Sequence, residues 1–360
     1  MKHAGIITFL HNGNYGSLLQ AYALERVLEE MGTDCEHIDY IPDSGEKVRN
    51  MIRSRNHPGL ILDGILKRHA GNGQGVLEMK GKELERFRKT SLRLTPPVHR
   101  LRDLPGLCRN RDGLVSGSDQ IWSPVWLNPA YFFDFPTHLP RIAYACSLGV
   151  SQMPGHYKAA ELTRLIRPYR RVSVREDAGA AILKQLLGHE VDVTPDPVAL
   201  LKREDWDAFA HPSMKPGRLV CYLIGRRDDD AETLRNLSES LNMDPCVLPA
   251  GASSLQLPFP VTEDLSAEGF VGALRDAGHV LTDSFHGALF CCLFGTPFTL
   301  IRRYRDTDPK SGNSRVDQLI SRVRPQVTPQ GCRTDQEGMA RLSEIRRTGL
   351  EWLRSALEET

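Results

Sequence analysis

The chain has 360 residues, 40% of them apolar, and a formal net charge of +1. That length suits two domains, each with an ordinary core. The near-neutral balance argues against a nucleic-acid binder, which would carry a clear basic surplus.

The apolar run Ala4–Leu10 reads as a strand. Gly13 and Gly16 allow a tight turn, and Ser17 can cap a helix whose Leu18, Ala21, Leu24, Leu28 and Met31 repeat at the helical period. Gly32 stands where a helix C-cap belongs, and Cys35–Ile41 reads as a second strand. This β-α-β opening predicts a parallel sheet. Residues 43–98 differ: they are rich in Lys, Arg and Gly, with weak helical patterns at Gly59–Lys67 and Val76–Arg88. They are expected to form a variable helical excursion, with disorder near Ala70–Gly75. Strand signals return at Gly113–Ser116, Ile142–Ser147 and Val172–Arg175, and helical ones at Gly155–Ile166 and Ala178–Leu187. Val191–Leu201, with Pro195 and Pro197, reads as an interdomain linker.

A second α/β unit follows. Strands are expected at Arg218–Ile224, Cys246–Pro249, Val280–Asp283 and Pro297–Arg302, and helices at Ala231–Leu241, Gly269–Ala277 and Ser284–Phe294. The last helix, Met339–Leu357, carries an apolar stripe of Leu342, Ile345, Leu350, Leu353 and Leu357 that must be buried. Packing back on the first domain would bury it. The expected division is 1–192, 193–330 and a C-terminal helix in 331–360.

Ala4–Leu10 is short for a secretory signal core, and no small-residue cleavage site follows it. No stretch reaches the roughly 20 apolar residues that span a bilayer. The eight cysteines form no CxxC pair, so they read as reduced thiols of a cytoplasmic protein.

Three polar motifs follow strands. His11-Asn12-Gly13-Asn14-Tyr15-Gly16-Ser17 joins the first strand to the first helix. Its glycines let backbone N–H groups approach a ligand, and a helix N-terminus favours an anion. The spacing is not GxGxxG, so a dinucleotide fingerprint is unsupported. Ser116-Gly117-Ser118-Asp119-Gln120-Ile121-Trp122 offers side chains for sugar hydroxyls, with Asp119 able to act as a base. Thr282-Asp283-Ser284-Phe285-His286-Gly287 sets a histidine in the first turn of a helix, beside free N–H groups. There it can hold an anion and move protons. Arg175 ends one strand and Arg302 follows another, so these two are the arginines expected to face a cleft, where a guanidinium binds phosphate or carboxylate in bidentate fashion. The runs Asp228-Asp229-Asp230 and Cys291-Cys292 read as a solvated helix start and as core.

Taken together, GNYGSLLQAYAL (13–24), GSDQIWSP (117–124), YFFDF (131–135), IAYACSLG (142–149), VSVRE (172–176), TPDPVALL (194–201) and TDSFHGALFCCLFGTPF (282–298) resemble the polysaccharide pyruvyl transferase family. The segments come in the family's order; residues 43–98 and 305–360 match weakly. The resemblance implies an α/β fold of two Rossmann-like domains facing across a cleft (GT-B-like). It implies phosphoenolpyruvate as donor, a glycan or lipid-linked sugar as acceptor, and no metal or organic cofactor. A lipid-linked acceptor would bring the protein to a membrane periphery. In the family the histidine of the SFHG-type motif is associated with donor binding, which maps to His286. Some eukaryotic relatives carry an arginine where Ser284 stands, so the charge must come from elsewhere, with Arg175 the first candidate. The expected catalytic pair is then His286 as acid and Asp119 as base. Arg175, Ser284, His286 and Arg302 are expected on the donor, and Asn12, Asn14, Tyr15, Ser118, Asp119 and Gln120 on the acceptor. The rival readings are a nucleotide-sugar glycosyltransferase on the same fold and a non-catalytic binding module.

Overall fold

The computed structural model describes residues 1–55, 73–225, 227–303 and 313–359. The helix expected at Gly59–Lys67 and half of the stretch expected to be disordered, 70–72, lie outside the described residues; its other half, 73–75, is described and opens a helix.

The first domain runs β1 (His3–Ile7), α1 (Tyr15–Glu30), β2 (Asp34–His37), α2 (Ser44–Arg53), α3 (Gln74–Ser91), α4 (Leu104–Cys108), β3 (Gly113–Ser116), β4 (Arg141–Cys146), α5 (His156–Ile166), β5 (Arg171–Val174), α6 (Asp177–Leu187) and β6 (Asp192–Val193). Its six strands pair in parallel in the order β2-β1-β3-β4-β5-β6. The second domain runs α7 (Arg203–Phe209), β7 (Leu219–Tyr222), α8 (Asp230–Leu241), β8 (Pro245–Val247), α9 (Ala267–Arg275), β9 (His279–Thr282), α10 (Phe285–Phe294), β10 (Phe298–Leu300), α11 (Asn313–Val323), β11 (Gln326–Thr328), β12 (Gly331–Arg333) and α12 (Gln336–Glu358). Its sheet has the order β11-β12-β10-β9-β7-β8. The strands β8, β7, β9 and β10 are parallel, and the β11–β12 hairpin adds to β10 antiparallel.

Both sheets therefore reverse their strand order once, between β1 and β3 and again between β7 and β9. In an open α/β sheet the loops leaving the carboxyl ends of strands at such a reversal frame a crevice for ligand. The fold is two Rossmann-like α/β domains facing each other, the GT-B-like arrangement. The buried aromatic cluster joins them: Tyr15 of α1 stacks on Phe270 of α9 at 4.6 Å, and its hydroxyl donates to Leu265 O. The helix α3 reaches across as well, with Lys80 Nζ donating to Ala250 O at 2.7 Å.

The helices α4, α7 and α11 were not expected, and two further stretches differ from the sequence reading. Val191–Leu201 is no loose linker. It begins as the last strand of the first sheet and continues as a buried 3-10 turn, Pro197–Leu200, held by Trp206 Nε1 donating to Val198 O at 3.0 Å. Its prolines mark a break in the ladder, but Val198, Ala199 and Leu200 are core residues. The β11–β12 hairpin was not expected, because strands of three residues leave no period to read. The helix α12 packs its first half on α10 and α11. In its second half Trp352 Nε1 donates to Asp192 Oδ2 at 2.6 Å, and the Met1 amino group donates to Leu357 O at 2.9 Å.

Candidate active site

A cavity of about 550 Å³ opens where the two strand-order reversals face each other. Asn14, Asp119 and Gln120 line it from the first domain; Ser284, His286 and Arg303 are among those lining it from the second.

The second-domain wall is built at the start of α10. Thr282 closes β9 and its Oγ1 accepts from Ser284 N at 3.0 Å. The Ser284 side chain caps the helix by accepting from Gly287 N at 3.3 Å. Gly287 is required by packing, since a Cβ there would stand 2.6 Å from Thr282 Oγ1. This fixes the first turn and sends His286 across the cleft onto α1. A Cβ on Gly16 would stand 2.1 Å from His286 Nδ1, so the glycine is the seat of the ring. The other nitrogen, Nε2, faces Asp196 Oδ2 at 3.4 Å.

Asp196 is buried and comes from the segment that joins the domains. Its Oδ2 also accepts from Arg175 Nη1 at 2.6 Å and Ser118 Oγ at 3.3 Å, and its Oδ1 from Val198 N at 3.0 Å. Burial alone would raise its pKa. The charge and hydrogen bonding of His286, with Arg175 and the Val198 N–H, instead hold it well below the ordinary carboxylate range. Arg175 is buried too, with its guanidinium 4.6 Å over the Phe285 ring and Nη2 3.9 Å from Asp119 Oδ1. Asp119, Arg175, Asp196 and His286 thus form one chain of ionisable groups from the first domain to the second.

Asp119 has φ 71° and ψ −179°, a region almost reserved for glycine that costs on the order of 1–3 kcal/mol. The strain turns its carboxylate into the cavity wall. There Oδ1 accepts from Gln120 N at 2.8 Å and Oδ2 accepts from Ser17 Oγ. Ser17 Oγ in turn accepts from Asn12 Nδ2 at 2.7 Å. Asn14 caps α1, accepting from Gly16 N at 2.9 Å. Asn12, Asn14, Ser17 and Asp119 are therefore one connected group at the β1/β3 reversal.

Four of the expected site residues do not line the cavity. Asn12 stands behind Asn14, with Nδ2 donating to Ser17 Oγ at 2.7 Å and Oδ1 accepting from Asn14 N at 3.2 Å. Tyr15 is buried as the interdomain aromatic anchor, with its hydroxyl spent on Leu265 O. Ser118 is buried beneath the wall and bonded to Ala145 O at 2.9 Å and to Asp196. Arg175, expected to clamp the donor anion, lies behind the wall, engaged by Asp196 and faced by Phe285. A guanidinium so placed neutralises a buried carboxylate. Arg302, Arg303 and Arg315 stand at the cavity instead. Arg302 Nη1 lies 3.1 Å from Asp317 Oδ2 at the exposed rim. Arg303 donates Nε to Asp283 Oδ2 at 3.0 Å, and the same carboxylate accepts from Ile224 N and Gly225 N at 2.8 Å each. Burial, then repulsion from Arg175, pull the Arg315 guanidinium down to about 10. It remains charged at neutral pH, and with the Gln120 amide turned oxygen-first its Nη2 lies 3.0 Å from that oxygen.

Asp196 and Arg315 escaped the sequence reading. Asp196 belongs to TPDPVALL, one of the quoted segments, but prolines on both sides mark it as loop. Arg315 lies in the weakly matching region on a polar helix. Among the described residues, no group of three or more His, Cys, Asp or Glu side chains could hold a metal ion. No described helix is long and apolar enough to cross a membrane, and all eight cysteines are free.

The family model for polysaccharide pyruvyl transferase matches residues 14–303. No curated protein matches the chain. Solved structures similar to it include UDP-N-acetylglucosamine 2-epimerase from Rickettsia bellii, with 10% identity, TM-score 0.49 and coverage of 99% of this chain and 96% of that one. The UDP-GlcNAc 2-epimerase from Neisseria meningitidis bound to UDP-GlcNAc has 11% identity, TM-score 0.46 and coverage of 99% and 94%. Arabidopsis thaliana UGT89C1 complexed with UDP-L-rhamnose has 13% identity, TM-score 0.48 and coverage of 98% and 93%.

Proposed function

The chain belongs to the polysaccharide pyruvyl transferase family, a transferase family, and from that premise we propose that it moves the enolpyruvyl group of phosphoenolpyruvate onto two hydroxyls of a sugar, forming a cyclic pyruvate ketal. The observation that carries this reading is the meeting of His286 and Asp119 at one cavity with Arg302, Arg303 and Arg315 beside them.

The chemistry needs an acid, a base and cations. Protonated His286 gives its proton to the methylene carbon of phosphoenolpyruvate, and positive character develops at the adjacent carbon. A sugar hydroxyl bonds to that carbon and loses its proton to Asp119. The C–O bond to phosphate breaks, and inorganic phosphate leaves with the bonding pair. A second hydroxyl adds to the same carbon and closes the ketal, its proton passing to the departing phosphate or to neutral His286. The sum is one phosphoenolpyruvate and one sugar diol giving one ketal and one phosphate. Asp196 keeps the imidazole oriented through Nε2. The three arginines hold phosphate and carboxylate. Arg315 is the foremost of them, because it lines the cavity beside Gln120 and keeps its charge at neutral pH. Asn14 and Gln120 face the acceptor, Asn12 holds Asn14 and Ser17 in place behind them, and the first domain is the acceptor side. The reaction requires no cofactor in this scheme, and closing the cleft keeps water from the cationic carbon.

The acceptor is a glycan or a lipid-linked precursor of an exopolysaccharide, and the protein works in the cytoplasm, where its free thiols would stay reduced. The deciding experiment is mass spectrometry of acceptor glycans incubated with phosphoenolpyruvate. Addition of a ketal with stoichiometric phosphate release is expected, and loss of both in His286→Ala. A larger thermal shift with UDP- or GDP-sugars than with phosphoenolpyruvate would overturn the reading in favour of a glycosyltransferase.

A further inference from the structure

The helix α2 has a face that none of this chemistry uses. From residue 47 to Arg55, just past its end, stand Lys47, Arg49, Arg53 and Arg55 with no acidic residue among them, Glu46 one residue earlier lying 3.6 Å from Arg49 Nη1, in a chain whose net charge is only +1. All four of these cations are exposed. Two apolar side chains one helical turn apart stand among them, Val48 at 44% exposure and Ile52 at 68%. Tyr157 extends the patch at 38% exposure, with its hydroxyl donating to Arg53 O at 3.0 Å and the Arg55 guanidinium 4.0 Å over its ring. The opposite face of α2 explains why the helix is fixed here: Asn50 Nδ2 donates to Asn128 Oδ1 at 3.1 Å, and Glu46 Oε1 accepts from Leu101 N at 3.3 Å.

Placement adds to composition. The helix follows β2 and packs on the loop that follows β3 and on the start of α5, which follows β4. It therefore stands at the carboxyl edge of the first sheet, the edge that also carries the loops of Asn14 and Asp119. A short helix with exposed aliphatic side chains in a ring of Lys and Arg is what an anionic bilayer surface attracts: the cations meet lipid phosphates and the apolar groups enter the headgroup boundary.

We propose that the exposed face of α2, with Tyr157, docks the protein on an anionic lipid surface with the cleft mouth turned toward the membrane. This rests on the proposed function only for its purpose, delivery of a lipid-carried acceptor to the first-domain side of the cleft. The docking itself requires no turnover.

The test is co-sedimentation of the full chain with phosphatidylcholine vesicles, with and without one-third phosphatidylglycerol. Binding is expected only to the anionic vesicles, and it should fall as salt rises within the range where surface charges are screened. Removing two cations in Arg49→Gln/Arg53→Gln should weaken partitioning about 25-fold, at roughly 5-fold per charge. Val48→Ser/Ile52→Ser should weaken it as well, at unchanged circular dichroism and melting temperature, since all four positions are exposed. Either of two results overturns the proposal: wild-type protein that ignores anionic vesicles, or variants that bind them as wild type does. Self-association in analytical ultracentrifugation that the serine variant abolishes, with no vesicle binding, would assign the face to a second copy of the chain and overturn it too. The assay contains no phosphoenolpyruvate, so its failure leaves the pyruvyl-transfer reading standing, and failure of that reading leaves vesicle binding as it is.

Discussion

Single residues carry the largest stakes where a charge is buried. Asp196 is the pivot, because one oxygen serves Arg175 and His286 together. Replacing it by Asn leaves Arg175 without its closest counter-charge, and breaking a buried pair from one side costs about 3–5 kcal/mol. Asp196→Asn should therefore lower the urea midpoint strongly, and adding Arg175→Met should recover part of the loss, because the orphaned charge is then gone. The acid side is equally specific. A carboxyl whose folded pKa is depressed contributes stability in full above its unfolded value near ~3.9, and that contribution is lost as pH falls through the lower folded value. The Asn variant should lack this component in a midpoint-versus-pH series; an identical acid limb in both proteins would mean that the pair is not formed. Gly16 makes the companion case. A methyl there would stand 2.1 Å from His286 Nδ1, so Gly16→Ala must push the ring away. A shift near 1 Å in a catalytic group costs about 10²-fold in rate. The expected outcome is that loss in turnover with the melting temperature nearly kept, and unchanged turnover would free His286 of the role given to it.

Elements were legible where their period was long. Helices such as α1, α6 and α8 and strands such as β3 and β9 follow from spacing, because a buried face imposes a repeat on the sequence. The loops after β1, β3 and β9 were legible as a gathering point, since polar residues at the carboxyl ends of parallel strands converge in such sheets. Side-chain direction was not legible. Ser118 and Asp119 are neighbours in one polar run, yet one is turned beneath the wall and the other into it, which is decided by an unusual φ at Asp119. The reach of α3 was also unreadable. It arises in the first domain, yet Lys80 ends in the second, buried with its ammonium 4.5 Å over the Tyr15 ring. Burial pulls that ammonium down to about 7. Between this value and the unfolded one near ~10.4, the unfolded chain holds a proton that the folded chain has shed, so stability should rise with pH across that window. Urea midpoints from pH 7 to 10 should show the rise in wild-type protein and lose it in Lys80→Met. A flat wild-type profile would mean that Lys80 keeps its proton and that α3 is not seated as described.

At the scale of the whole molecule, the question is what holds two sheets in the register that closes the site. Tyr15 supplies one contact and α3 another, but the segment carrying Asp196 must itself be fixed, because it belongs to neither sheet's face. The long helix α12 does this. It lies across that segment so closely that a Cβ on Gly349 would stand 2.6 Å from Pro195 Cγ and 2.7 Å from Leu200 Cδ2. Arg346 Nε adds a hydrogen bond to Leu200 O at 2.8 Å. A glycine in a helix interior costs about 1 kcal/mol against alanine, so its presence there marks a contact worth that much. Propensity alone predicts that Gly349→Ala stabilises the protein by that amount. The geometry predicts the reverse, a net loss on the order of 1–3 kcal/mol, because the methyl must displace a proline ring that has no rotamer to yield and the backbone on both sides of Asp196. Urea unfolding separates the two signs. Turnover separates them again, since lifting the 194–201 segment withdraws Asp196 from His286 and should lower activity at a residue that touches neither substrate nor cavity. A more stable and fully active Gly349→Ala protein would show that α12 merely covers the joint, and that the register of the two domains is set by Tyr15 and α3.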